Sequence, residues 1–363
     1  MTSLSKRKFN ICLISDQLSD GGAERCAANL SIFFEENHYS VTHVVIVDRI
    51  TYDYKGQVFN LGKLTNSNVF FRKIKKAYTL KKFLDKNKFD FIIDFRFKNS
   101  FLQELITTKF IYNTKTIFTI HSYVLEWYFP KSVFFAKLIF NKTKLVSVSD
   151  GIRNAIQLKY GFKNVTKIYN PIHFESINKL KEEPISIDYD YIVAVGRLEK
   201  IKQFDVLITA YHQSKLHESN VKLIILGEGQ EKSNLEQLIN SLQLSQDILL
   251  MGFIENPYPY IKNSKYLVMT SRNEGFPMVL IESLACQTPV ISYDMHSGPS
   301  EIIKHRSNGI LVKNQDIEML VSSMKEMYSD SALYNKCKEN SLQSVSEFSL
   351  ERIGNQWIRF LSK

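Results

Sequence analysis

Short apolar runs alternate with amphipathic stretches along this chain, and the alternation occurs twice. In the first half the apolar runs are "FNICLIS", "SVTHVVIV", "FDFIIDF", "TKTIFTIHS" and "TKLVSVS". Helical patterns such as "GAERCAANLSIFFEEN" and "RKIKKAYTLKKFLDKNK" lie between them. The second half repeats the scheme with "DYIVAVG", "VKLIILG", "ILLMG", "YLVMTS" and "PVISY", separated by "QFDVLITAYHQS" and "EKSNLEQLINSLQL". A strand with one wet face alternates apolar and polar residues, whereas a continuous apolar run implies burial on both faces, as in a parallel sheet between helices. The chain therefore reads as two doubly wound α/β domains. A polar stretch, "NKLKEEPISID", sets the expected boundaries at 1–180 and 181–345. The tail 346–363 reads as a helix with Ile353, Trp357 and Leu361 on one side, packing back on the first domain.

Composition narrows the class. The 363 residues suffice for two ordinary domains, and 44% hydrophobic content is that of a globular chain. No run approaches the roughly 18–20 apolar residues that span a bilayer. The basic start "SKRKFNICLIS" has an apolar part of only about five residues, too short for a signal peptide and suited to a first strand. Cys12, Cys26, Cys286 and Cys337 show no paired spacing, which points to free thiols in a reducing compartment. No metal-ligand spacing appears, so no metal and no cofactor are expected. The net charge of +10 is uneven: residues 1–184 hold 29 Lys+Arg against 16 Asp+Glu, and the remainder is slightly acidic. Only the first half is suited to an anionic partner.

The stretch "RNEGFPMVLIESLACQTPVIS" carries the sharpest chemical signal. Pro277 suits the first position of a helix, and Met278, Leu280, Ile281, Leu284 and Ala285 supply its apolar face. Glu274 then lies in the turn before the helix, with Glu282 roughly 7–8 Å along its axis. Backbone N–H groups of Phe276, Met278 and Val279 at the helix start suit a phosphate. One carboxylate could take a ribose diol and the other the hydroxyls of a sugar. An amphipathic helix behind an acidic turn, with one solvated glutamate, accounts for the same residues.

Other candidates follow strand ends. Arg197 and Lys202 follow "YIVAVG", where Arg can fork onto a diphosphate and Lys adds a point charge; a pair of surface cations is the plain alternative. Gly227-Glu228-Gly229 after "VKLIILG" lets backbone approach a base or phosphate, or simply makes a turn. Gly21-Gly22 at a helix start can cradle phosphate but lacks the G-K-[ST] ending of a P-loop. His121 ends the strand "TIFTIHS" and is either a site residue or a structural one. "DYD" at 188–190 precedes its strand and reads as a turn.

Taken together, "GGAER", "IYNPI", "GRLEKIK", "GEG" and "EGFPMVLIE" closely resemble the retaining glycosyltransferases of family 4, the last segment matching their E-x7-E motif. The resemblance spans almost the whole chain, best over 190–312 and looser over 40–115. It implies the GT-B fold, two Rossmann-like domains facing across a cleft. It also implies roles for individual residues. Arg197 and Lys202 would neutralise the donor diphosphate and assist its departure. Glu282 would hold the ribose, and Glu274 the donor sugar, with backbone amides from Gly275 through Phe276 and Pro277 to Met278. Gly22 would approach the diphosphate from the first domain, Gly227 would border the donor site, and His121 would lie near the transferred sugar. The implied reaction moves a hexose or N-acetylhexosamine, with a UDP-sugar favoured, to a glycan or lipid-linked glycan in surface polysaccharide biosynthesis, without a metal.

The acceptor side is suggested by charge. Residues 72–88 hold eight Lys or Arg and one acid, and "EWYFPKSVFFAKLIFNKTK" mixes aromatics with four lysines. Such segments suit an anionic membrane surface and a cytoplasmic enzyme peripheral on the inner face of the membrane. A solvated helix face and a core helix are the plain alternatives. GDP-mannose as donor, or an epimerase or hydrolase on the same fold, are the competing enzymes. A basic nucleic-acid binder is the least favoured reading, because no recognisable nucleic-acid module is present.

Overall fold

A computed structural model describes residues 9–64, 69–98, 100–112 and 115–363. The basic lead-in at 5–8 and Thr114, expected at the starts of strands, lie outside these residues. The chain divides into two compact units, Met1–Pro171 with Leu350–Lys363, and Ile172–Ser349.

The first unit holds β1 (Asn10–Ser15), β2 (Ser40–Val45), β3 (Gln57–Asn60), β4 (Phe91–Asp94), β5 (Lys115–Ile120), β6 (Lys144–Ser147) and β7 (Val165–Lys167). They form one parallel sheet in the order β3-β2-β1-β4-β5-β6-β7. Ile11, Cys12, Leu13 and Ile14 of β1 are all fully buried, as a strand covered on both faces requires. The second unit holds β8 (Tyr191–Val195), β9 (Lys222–Leu226), β10 (Ile248–Leu250), β11 (Leu267–Met269), β12 (Val290–Asp294) and β13 (Gly309–Lys313). Their order is β10-β9-β8-β11-β12-β13, again all parallel. In each sheet the order reverses beside the unit's first strand, between β1 and β4 and between β8 and β11. At such a switch the two flanking connections leave toward opposite faces of the sheet, and a crevice opens beyond the strand ends.

The helix Leu350–Leu361 belongs to the first unit, where Ile353, Trp357 and Leu361 share one core with β1 and the helix Gly22–Glu36. Gly354 makes this contact close, because a Cβ there would come within 2.3 Å of the Phe33 ring. The crossing into the second unit falls earlier than the sequence suggests. Ile172 N–H donates to the Phe348 carbonyl at 2.8 Å, and the helix Phe174–Leu180 packs on the helices Tyr258–Asn263 and Met278–Ala285. The boundary expected at 180/181 therefore moves to 171/172, and the later one from 345/346 to 349/350. A helix of seven residues that buries only Ile177 on its inner side looks like polar linker in the sequence.

Candidate functional site

At the switch point of the second unit, two loops distant in sequence are stitched together. Beyond β8 the chain makes a single turn at Lys200–Lys202 and leaves it through Gln203 in a left-handed conformation. Thr270, just past β11, donates its hydroxyl to the carbonyls of Lys202 and Gln203 at 3.1 and 2.9 Å. Arg272 N–H donates to the Ile201 carbonyl at 2.8 Å. These bonds set Lys202 beside Glu274, with Nζ 2.5 Å from Oε1 and both side chains mostly buried. Arg197 leaves the same strand end but is 65% exposed and pairs with Glu199 at 2.9 Å. Two residues chosen from separate motifs thus form an ion pair, while the third stands beside them in solvent.

The Gly-Phe-Pro turn is held from behind. Ser297 donates its hydroxyl to the Gly275 carbonyl at 2.6 Å. Gly298 adopts φ +99°, and a Cβ there would strike Pro277 Cδ at 2.3 Å. Pro277 caps the helix Met278–Ala285 and does not begin it, so the expected start shifts by one residue. Leu280, Ile281, Leu284 and Ala285 are buried, and Met278 and Glu282 are half-buried. Phe276 packs edge-on to Phe348 in the core, 5.3 Å between centroids, so only its backbone remains available for a ligand. Gly227 also has a structural reason: at φ +150° its Cβ would lie 1.9 Å from the Gly196 carbonyl oxygen. A Cβ on Gly229 would meet the Leu198 carbonyl at 2.3 Å. The two glycines let the loop after β9 pack on the loop after β8, which supports Arg197 and Lys202 from below.

Met251 and Phe253 follow β10 and flank Gly252, whose carbonyl accepts from Gly227 N–H at 2.8 Å. Among the described residues they are the second unit's only exposed large apolar side chains, Phe253 at 63%. The sequence offered one signal for them, the apolar "MGF" running past its strand.

In the first unit the candidates are more dispersed. Gly22 is exposed at the start of the helix Gly22–Glu36. The Glu24 carboxylate folds back over the preceding residue, so that a Cβ on Gly21 would lie 2.0 Å from Oε2. That helix start therefore already has an anion of its own beside it. His121 follows β5 with its ring nitrogens buried and, among the described residues, without hydrogen-bond partners. Burial, then the nearby Lys98 ammonium, push its pKa down to about 3. It can offer a neutral imidazole and no general acid near pH 7.

At the end of β4 and in the segment that follows it, the structure holds a buried ionic cluster that the sequence did not single out. Arg96 forks onto Asp94, with Nε to Oδ1 at 3.1 Å and Nη2 to Oδ2 at 2.8 Å. Nη2 also reaches Glu104 at 3.3 Å, and the Tyr112 hydroxyl donates to Asp94 at 2.7 Å. Lys98 donates to the Arg96 carbonyl at 2.7 Å. Burial pushes the Asp94 carboxyl upward, but Arg96 and then Lys98 outweigh it and hold the group below its usual value. Glu104 is raised, chiefly by burial.

Two buried histidines give a pH dependence with a definite sign. Burial takes His43 down to about 4 and His121 down to about 3. The unfolded chain binds these protons near pH 6.5 and the folded chain resists them, so stability is lost as pH falls below about 6.5. Each histidine is expected to contribute roughly 1–1.5 kcal/mol per pH unit until its folded pKa is passed. Denaturant titrations at pH 7, 6 and 5 should show this fall, and His43→Leu should make it shallower; an unchanged slope would mean that His43 stays accessible to protons.

Two parallel sheets in this order, with paired loops at a switch point, define a Rossmann-like two-domain protein of GT-B type. The family described as "Glycosyl transferases group 1" matches residues 176–344. An uncharacterised glycosyltransferase of Methanocaldococcus jannaschii is 30% identical over 289 residues, 68% of this chain and 71% of that one. The chain belongs to the group 1 glycosyl transferases. A Campylobacter jejuni relative, named as an N-acetylgalactosamine-N,N'-diacetylbacillosaminyl-diphospho-undecaprenol 4-alpha-N-acetylgalactosaminyltransferase, is 35% identical over 194 residues. That match covers 53% of this chain and only about half, 52%, of the relative. Among solved structures, Anabaena HepE in complex with UDP and glucose superposes with a TM-score of 0.80 at 18% identity, covering 98% of this chain and 100% of that one. Among the described residues no group of three or more His, Cys, Asp or Glu is placed to hold a metal ion.

Proposed function

We propose that the protein is a retaining family 4 glycosyltransferase, with Glu274 and Glu282 as its E-x7-E pair, acting on a UDP-sugar. The observation that carries this reading is the Lys202–Glu274 pair at the second unit's switch point. It sets a fixed cation beside a carboxylate where a parallel sheet presents its ligands. In this reading Lys202 and Arg197 neutralise the donor diphosphate as the glycosidic bond lengthens, so charge develops on the leaving group against positive charge already in place. Arg197, exposed and among the described residues paired with Glu199 alone, can swing onto the phosphates. Glu274 and the backbone of Gly275–Met278 hold the sugar hydroxyls, and Glu282 accepts from the ribose. Phe253 offers a flat apolar face to the base. No metal takes part, because the lysine and arginine supply the positive charge.

The donor and acceptor are read more finely from relatives. The HepE structure contains UDP and glucose, which supports a UDP-hexose or UDP-N-acetylhexosamine. The Campylobacter relative is named for transfer onto an undecaprenol-diphosphate-linked sugar, which supports a lipid-linked glycan acceptor in surface polysaccharide synthesis. No helix among the described residues is long and apolar enough to cross a membrane. On this reading the protein works at the cytoplasmic face of the membrane as a peripheral enzyme.

The test is the melting temperature against UDP-, GDP-, ADP- and dTDP-sugars, with wild type and Arg197→Ala side by side. A ligand at 100 times its dissociation constant stabilises by about 2.7 kcal/mol. The expected result is a shift with UDP-sugars only, reduced in the variant. A shift with GDP-mannose alone would move the donor to that class. No shift with any sugar would remove the nucleotide-sugar reading. A shift accompanied by acceptor-independent conversion of the bound sugar to an epimer would make the protein an epimerase.

A further inference from the structure

Exposed apolar side chains are concentrated in one unit. Among the described residues 17 large apolar side chains are exposed, and 15 of them belong to the first unit. Most lie on four helical elements that touch in series. The helix Val69–Lys86 packs on the turn Thr107–Ile111, which continues from the helix Phe101–Ile106. Phe101 then packs at a tilt against Phe135 of the helix Val133–Phe140, 4.7 Å between centroids.

The helix Val69–Lys86 has two apolar faces. Leu80 and Leu84 are buried toward the core. Phe71, Ile74 and Tyr78 recur at three- and four-residue spacing on the opposite side and are 58%, 50% and 69% exposed. Core packing explains the first face and leaves the second without a function. On the neighbouring elements Leu102, Phe110 and Phe134 are 63%, 67% and 72% exposed.

Charge says what covers this face. Residues 69–142 hold 15 Lys+Arg and five acids. Two of the acids, Asp94 and Glu104, are buried against Arg96. Two more, Asp85 and Glu126, are paired with Lys81 and Lys159. Lys75 and Lys82 flank the outer face of the first helix, and Lys137 lies among the apolar residues of the last. Apolar tips set among lysines, whose stems lie along the apolar layer while their ammonium groups stay at headgroup level, suit an interface and not a dry protein contact.

We propose that this face, from Phe71 through Phe110 to Phe134, seats the first unit on an anionic lipid bilayer. It deepens the reading of a lipid-linked acceptor, on which its purpose rests, by naming the surface that meets the lipid. The phenyl and aliphatic side chains enter the acyl boundary, and the lysines neutralise headgroup phosphates, each nearby cation adding to the attraction. The second unit, slightly acidic and with two exposed large apolar residues among those described, offers no such face.

The test is sedimentation of the full chain with extruded vesicles of phosphatidylcholine, alone or with 30 mol% phosphatidylglycerol. Donor-induced melting shifts are read on the same preparations. The expected result is binding to the anionic vesicles, weaker by at least tenfold on pure phosphatidylcholine. Phe110→Ser with Phe134→Ser, and separately Phe71→Ser with Tyr78→Ser, should each cut binding at least tenfold without changing the melting temperature. No binding to anionic vesicles overturns the proposal, and so does binding unaffected by both double variants. A wild-type dimer split by the same variants would give the face to a second copy of the chain and also overturn it. Vesicle binding without any donor shift would sustain the surface and sink the donor reading; the reverse result would do the opposite.

Discussion

Lys202→Met is expected to lower turnover by about 10²–10³-fold, measured as release of nucleoside diphosphate from whichever donor stabilises the protein. The lysine is one of two cations at the strand end and the one held in place, by Glu274 and by the Thr270 bonds to its turn. A preorganised charge stabilises a leaving diphosphate without reorganisation at the moment of reaction, which is why its loss is large. Methionine keeps the length and the apolar stem, so the turn at Lys200–Lys202 should survive. Unpairing the mostly buried Glu274 should cost about 1–3 kcal/mol, which a denaturant titration of the variant reads independently of turnover. Turnover and folding are thereby separable. The double variant Lys202→Met with Glu274→Gln decides between two roles. If the two side chains only sustain each other, the double variant should recover much of the single variant's loss. If each touches the donor, it should be no better than the worse single variant. Near-normal turnover in Lys202→Met would sink the assignment of this pair to the donor.

Ten of the thirteen strands were legible because burial on both faces of a parallel sheet demands continuous apolar runs, whereas β3, β7 and β13, and the strand order that makes the two switch points, show only in the structure. Lys202 and Glu274 were legible for a related reason: each follows directly on such a run, where parallel sheets present ligands. What escaped were relations between residues far apart in sequence. Gly227 reads in the sequence as clearance for a ligand or as a turn, and the structure shows it giving clearance to the Gly196 carbonyl some thirty residues earlier. The helix Phe174–Leu180 looked like linker because a short, one-sided helix has almost the composition of a loop. Asp94, Arg96 and Lys98 alternate with phenylalanines in "DFRFK", which marks a strand running into a polar loop. Nothing local shows that Glu104 and Tyr112 return to complete the set.

That cluster carries the second large effect: Arg96→Met should destabilise the first unit by about 3–5 kcal/mol. The reasoning turns on what the substitution leaves behind. Asp94 is fully buried and Glu104 nearly so, and Arg96 is the group that bonds both. Without its side chain, Asp94 keeps the backbone N–H of residue 96 at 2.9 Å, the Tyr112 hydroxyl and a lysine 4.0 Å away, with no close charge to balance a desolvated carboxylate. The group must then take up a proton or draw in water, and either costs stability at neutral pH. The native pair itself is a different matter, because desolvation of both partners offsets most of their attraction. Replacing Asp94, Arg96 and Glu104 together by Leu, Met and Leu should therefore recover most of what the single change loses. Two units unfold in one chain, so the quantity to follow is the midpoint of the first unit's transition in denaturant, reported by Trp127 and Trp357, both within that unit. A loss below about 1 kcal/mol in Arg96→Met would mean that water already reaches the cluster. A full loss with no recovery in the triple variant would mean that Arg96 acts through the loop it shapes, whose carbonyl holds Lys98, and not through the charges it pairs.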